Sequence, residues 1–170
     1  MNELLVNMNT NTSTDCLTEY LEEVLNPNSK ISIVCIGTDR IIPDSLGPMI
    51  GSILSERIVL ENVKIIGTLE YPLHALNMKK RIRREIDKDS LVIAIDACKG
   101  DKVGEIQITN KPISPGKGLF KRLPEIGDIS ILCTTLENGE EVDIYDHKIR
   151  LGDVYRMAKT ISSSLCSVII

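Results

Sequence analysis

The stretch "SLVIAIDA", residues 90–97, decides the fold. Its apolar core, Leu91 to Ile95, shows no alternation of apolar and polar positions. That pattern belongs to a strand covered on both faces, as strands of parallel sheets are. A carboxylate, Asp96, follows at once.

Working outward, "ISIVCI" (31–36) and "ISILCTT" (129–135) repeat the same buried signature, and "VKIIGT" (63–68) reads as a shorter strand. "VGEIQIT" (103–109) alternates, which predicts pairing at the side of the sheet. Helical spacing separates these runs. Leu17, Tyr20, Leu21, Val24 and Leu25 follow a Ser13 or Thr14 cap. A second helix is predicted to start between Leu46 and Pro48 and to run through Ile50, Ile53, Leu54 and Ile58, because proline is tolerated in a first turn. "HALNMKKRIRREI" (74–86) reads as a basic amphipathic helix. The last helix, about 148–165, carries Leu151, Val154, Tyr155, Ala158, Ile161 and Leu165 along one face. Apolar strands alternating with helices predict a three-layer α/β/α sandwich with a mostly parallel sheet. The expected layout is one α/β domain over residues 14–170, preceded by a flexible polar tail over 1–13.

Composition narrows the function classes. Of 170 residues, 42% are hydrophobic and 26% charged, ordinary for a soluble globular domain. A net charge of -4 and a pI near 5.3 give no chain-wide basic field for nucleic acid. The local basic run Lys79, Lys80, Arg81, Arg83, Arg84 reads as the wet face of a helix. Five cysteines, at 16, 35, 98, 133 and 166, contain no C-x-x-C pair, which points to a reducing compartment. The N-terminus lacks the pattern of a secretory signal, and no apolar run reaches the length of about 18 residues that a membrane span needs. The expectation is therefore a cytoplasmic protein that binds neither membrane nor nucleic acid.

In open α/β sheets ligands bind beyond the carboxyl ends of the strands. Asp96 ends "LVIAI", and Asp44 lies in "GTDRIIPDSLGP" (37–48), the loop leaving "ISIVCI". If the two strands are neighbours, both carboxyls meet at one mouth. Asp44 reads equally well as a turn or cap residue. A hydrogen bond from a neighbouring loop would satisfy Asp96 just as well. His74, at the entry of a predicted helix, is either a mouth residue or a structural one. Other chemistry finds little support. "PGKG" (115–118) lacks the phosphate-loop frame, G-x-G-x-x-G and G-x-S-x-G are absent, and His74 and His147 show no metal-ligand spacing.

Taken together, "GTDRIIPDSLGP", "GTLEYPLHALN", "LVIAIDACKG", "VGEIQI" and "PISPGKGLFKRLPEIGDISI" resemble the YyaC family of sporulation proteins. That family is similar to the germination protease of spores, which shares "PD-x-LGP", "LVIAIDA" and a Pro-Gly-x-Gly loop. It is similar, more distantly, to the hydrogenase maturation proteases and their phosphorylase/hydrolase-like fold. The resemblance places the germination protease's two catalytic aspartates on Asp44 and Asp96. It implies a peptidase that uses a water activated by this pair, without cofactor, acting on a protein or peptide such as a small spore protein in the forespore or spore interior. Thr38, Asp39, His74 and Asn77 would line the substrate, with Gly37 and Gly116 in loops whose N–H groups face the oxyanion. The nickel-binding histidine of the maturation proteases matches neither His74 nor His147, so no metal is expected. The chain is shorter than the germination protease and shows no evident propeptide. A non-catalytic peptide-binding module with the same cleft is the alternative, and a metal-assisted relative of the maturation proteases the third option. The terminal "SLCSVII" either docks a second copy, making a homo-oligomer, or tucks into the core.

Overall fold

The computed structural model describes residues 3–115, 123–141 and 148–170. The strands are β1 (Glu3–Asn7), β2 (Ile31–Cys35), β3 (Val63–Ile66), β4 (Leu91–Gly100), β5 (Glu105–Thr109) and β6 (Ile129–Glu137). The helices are α1 (Ser13–Val24), α2 (Leu46–Arg57), α3 (Met78–Glu85) and α4 (Leu151–Ile169), with a 3-10 turn over Ile42–Ser45 just before α2. All six strands form one sheet in the order β1-β5-β6-β4-β2-β3. The β3, β2, β4 and β6 strands run parallel, whereas β5 and β1 are antiparallel additions beyond β6.

Strand alternation divides the interior into two layers. Ile31, Ile33, Cys35, Ile93, Ile95, Ile129 and Ile131 meet α1, α2 and α4 on one face. Val34, Ile66 and Ala94 meet Met78 of α3, together with Ile113 and Ile126, on the other. The three-layer α/β/α architecture with a mostly parallel sheet therefore holds, with one helical layer much thicker than the other. Ile50 and Leu54 of α2 are completely buried, each burial contributing about 1.5–3 kcal/mol before entropic costs. At the C-terminus Leu165 and Ile169 are buried and Ile170 is exposed, so the terminal apolar run mostly enters the core.

Residues 3–7 are not a loose tail. They form β1, which pairs with β5 from Glu3↔Thr109 to Asn7↔Glu105. The apolar Leu4 and Val6 turn onto the main core while Leu5 stays exposed, a short alternation that the Asn- and Thr-rich flanks conceal in the sequence. As a result β5 lies one strand inside the edge. The predicted basic helix also begins later, at Met78, because the Asn77 side chain serves the preceding loop. Its Oδ1 accepts from the His74 N–H at 3.0 Å, and its Nδ2 donates to the Pro72 carbonyl at 3.0 Å. Likewise α4 starts at Leu151, where the Asp153 carboxylate accepts the Arg150 N–H at 3.0 Å.

Candidate functional site

The crossover from β2 to α2 fixes Asp44 through backbone contacts that only glycine permits. Gly37 has φ +142°, and a Cβ there would lie 2.1 Å from the Asp44 carbonyl oxygen. A Cβ at Gly47 would lie 2.0 Å from the Ile36 carbonyl oxygen. These close approaches fold residues 37–47 back over the end of β2. The Thr38 N–H donates to the Asp44 carbonyl at 3.0 Å, and the Asp44 N–H donates to Ile41 at 3.0 Å. Ser45 Oγ closes the turn on the Ile42 carbonyl at 2.7 Å. The turn packs against β4, β6 and α4, so Asp44 is delivered to the middle of the sheet.

Asp96 comes from β4. The sequence places it at the end of a strand, but β4 continues to Gly100 because β6 is long enough to pair with it throughout. What ends at this level is β2, whose last register pair with β4 is Cys35↔Ile95. Asp96 is thus opposite Leu132 on the β6 side and lies just beyond the end of β2 on the other. Its Oδ1 accepts the N–H of the next residue, Ala97, at 2.9 Å.

The electrostatics tie the two carboxyls together. Asp44 is pushed up to about 6, mainly by burial, with a backbone hydrogen bond from Thr38 pulling the other way. Asp96 is held well above the ordinary carboxylate range, first by burial and then by the negative charge of Asp44, with the Ala97 hydrogen bond opposing. As whole residues, Asp44 and Asp96 are partly rather than fully buried.

The remaining predicted site residues divide. Thr38 is half-buried and its Oγ1 accepts the Arg40 N–H at 3.3 Å, whereas Asp39 is exposed on the same turn. The loop before α3 reaches the mouth through Leu73, which bridges Ile36 and accepts the Gly37 N–H at 2.9 Å. His74 follows it directly, but its ring is engaged locally. Its Nδ1 accepts the Leu76 N–H at 3.3 Å, and its Nε2 lies 3.4 Å from Asn77 Nδ2. Asn77 acts as a loop brace. Gly116, with the rest of "GKG", and His147 lie outside the described residues.

Cys98 and Thr134 escaped sequence reasoning. Cys98 lies two positions beyond Asp96 on the same strand, hence on the same face, and its Sγ is 3.8 Å from Thr134 Oγ1. Strand alternation was the signal that could have found it. Burial raises the Cys98 thiol, its Thr134 hydrogen bond opposes, and the Asp96 charge raises it further. Cys133 is raised in the same way, by burial first. Both therefore stay neutral thiols rather than the thiolates that nucleophilic catalysis needs. Among the described residues, no three or more His, Cys, Asp or Glu side chains group as metal ligands. No helix among them is long and apolar enough to cross a membrane.

The comparisons with known proteins agree with this frame. A family described as "Protein of unknown function (DUF1256)" matches residues 5–164. The uncharacterized protein YyaC of Bacillus subtilis (strain 168) is 40% identical over 139 residues, covering 79% of this chain and 67% of that protein. The structure of the NiFe hydrogenase maturation protease HycI from Thermococcus kodakarensis KOD1 matches with a TM-score of 0.63 over 88% of this chain and 98% of that one. At 18% identity, this last likeness speaks for the shared fold.

Proposed function

The chain belongs to the DUF1256 family, and from that premise we propose that it is a peptidase whose water is activated by Asp44 and Asp96. The observation that carries this reading is that the turn bearing Asp44 packs on β4 and β6 where β2 stops at Cys35↔Ile95, one residue before Asp96; burial pushes both carboxyls up and the Asp44 charge adds to the rise at Asp96. Two acids coupled in a poorly solvated site share protons and titrate as a pair. In the reactive form the pair holds one proton, with Asp44 ionised and Asp96 protonated, the direction in which burial and the Asp44 charge push Asp96. Asp44 takes a proton from water as the oxygen attacks the amide carbon, and Asp96 donates to the carbonyl oxygen. As the tetrahedral adduct collapses, Asp44 passes its proton to the leaving nitrogen and Asp96 recovers one from the adduct hydroxyl. The net change is one C–N bond broken and one water consumed. The fold shared with a hydrogenase maturation protease supports a protein or peptide substrate. The resemblance to the germination protease makes small spore proteins the first substrates to try, with the forespore interior as the place of action.

The test is cleavage of spore proteins and peptide mixtures by the purified protein, read by mass spectrometry. Asp44→Asn and Asp96→Asn should each slow cleavage by about a thousandfold. Cleavage at the wild-type rate by either variant overturns the assignment. Saturable binding by the wild type without any new termini returns the chain to a non-catalytic peptide-binding module.

A further inference from the structure

The basic run that reads in sequence as a solvated helix face does more than stay wet. Leu76, Lys79, Lys80, Arg83 and Arg84 line a groove of about 470 Å³ along α3. Among the described residues, Lys79, Lys80 and Arg83 are exposed and take part in no ion pair. Arg84 shares Glu85 with Arg81, so one carboxylate serves two guanidiniums. The groove thus concentrates positive charge on a chain of net charge -4.

Apolar side chains are exposed beside it. Leu76 is 80% exposed and Tyr71 66%, both on the loop that leads into α3. This loop is held in place. Arg81 Nη1 donates to the carbonyls of Tyr71 at 2.9 Å and Pro72 at 3.0 Å, while its other nitrogens grip Glu85. Loop and helix therefore present one preorganised surface of cations and exposed apolar groups. The same loop bonds to Gly37 through Leu73, which connects the groove to the mouth that holds Asp44.

We propose that the α3 groove is the docking subsite for an acidic, leucine-bearing segment of the polypeptide substrate. The proposal rests on the peptidase reading and supplies its substrate class. Glu and Asp side chains would pair with Lys79, Lys80, Arg83 and Arg84, while apolar residues cover Leu76 and Tyr71. A polyanionic nucleic acid fits less well. The cations belong to a single helix of eight residues, Met78–Glu85, too short a stripe to follow a phosphate backbone.

The experiment measures fluorescence anisotropy of a labelled peptide built of Glu, Asp and Leu, titrated with the full chain. Wild type should bind it, and the Lys80→Glu/Arg83→Glu variant should bind at least about tenfold more weakly, with Lys80→Gln/Arg83→Gln intermediate. Affinity should fall as salt rises from about 50 to about 200 mM. Asp44→Asn and Asp96→Asn should bind like wild type, so loss of cleavage and loss of docking are read separately. Binding retained in the aspartate variants while no protein form cleaves anything removes the peptidase reading and leaves the groove. Equal binding by the charge-reversed variant overturns the groove. So does a stronger response to a single-stranded oligonucleotide or to phosphatidylserine vesicles than to the peptide.

Discussion

Asp44→Asn should make the protein more stable than wild type, but only above acidic pH. The carboxyl is raised from 3.8 to about 6 in the fold. The folded state then holds the proton more tightly than the unfolded one, so the stabilising contribution is fully present below about 3.8 and is lost as pH rises through about 6. At about 1.4 kcal/mol per pKa unit, the shift corresponds to about 3 kcal/mol, which residual solvent contact reduces to about 2. Asparagine is neutral at every pH and keeps an oxygen for the Thr38 hydrogen bond. Urea unfolding of both proteins should therefore give nearly equal stabilities near pH 4. A gap of about 2 kcal/mol in favour of the variant should open by about pH 8. In the same variant, carboxyl NMR titration should show Asp96 falling, because one of the causes that raises it has gone. A stability gap that stays flat across this range refutes the burial of Asp44. An Asp96 titration that does not move refutes the coupling on which the proposed chemistry depends.

Gly47→Ala should cost about 2 kcal/mol or more in urea unfolding and depress any peptidase activity, since its Cβ would meet the Ile36 carbonyl 2.0 Å away; wild-type stability would show that the crossover relaxes freely. Glu85 is lowered to about 2, first by its Arg81 hydrogen bond, and so stabilises the fold above about 4.5 and loses that effect as pH falls towards 2. Solvent screening limits the effect to about 1 kcal/mol, so Glu85→Gln should lose that much near neutral pH and nothing near pH 2; an equal loss at both pH values would contradict this. Deletion of residues 1–8 should cost about 2 kcal/mol from the lost burial of Leu4 and Val6 and leave β5 as an open edge. Light scattering should then rise with concentration, and a monodisperse, equally stable truncation would mean that β1 contributes nothing.

The parallel heart of the sheet was legible because its physics is local. Ile31–Cys35 and Leu91–Ile95 are too apolar to be covered on one face only, and they do occupy neighbouring central positions in register. β1 was hidden because only Leu4 and Val6 need cover, and Asn and Thr on either side resemble a solvated tail. The start of α3 was misjudged for a related reason. A side-chain amide can bond to its own backbone in place of joining a helix, and helical periodicity does not register that choice at Asn77. At the site, the strand-end rule selected Asp44 and Asp96 from chain order alone. It could not distinguish the end of a strand from the end of that strand's neighbour.

That distinction gives the site its character. A carboxyl at a true strand end has strand neighbours on neither side at its level. Asp96 instead sits within a strand that β6 extends to Gly100, and only the β2 side opens at its level. The space that β2 vacates is taken up by its own continuation, which Gly37 and Gly47 allow to fold back tightly enough to carry Asp44 against β4. The two acids are thus brought together by unequal strand lengths and by the absence of two Cβ atoms. Shortening β4 by unpairing it from β6 beyond Asp96 should therefore return Asp96 towards an ordinary carboxylate without touching either aspartate. Cys98→Pro is the direct way to do this, because proline removes an N–H inside the paired segment. Carboxyl NMR should then show Asp96 titrating lower than in wild type. If it keeps its wild-type titration while the β4–β6 pairing beyond it is lost, strand length is not what desolvates it.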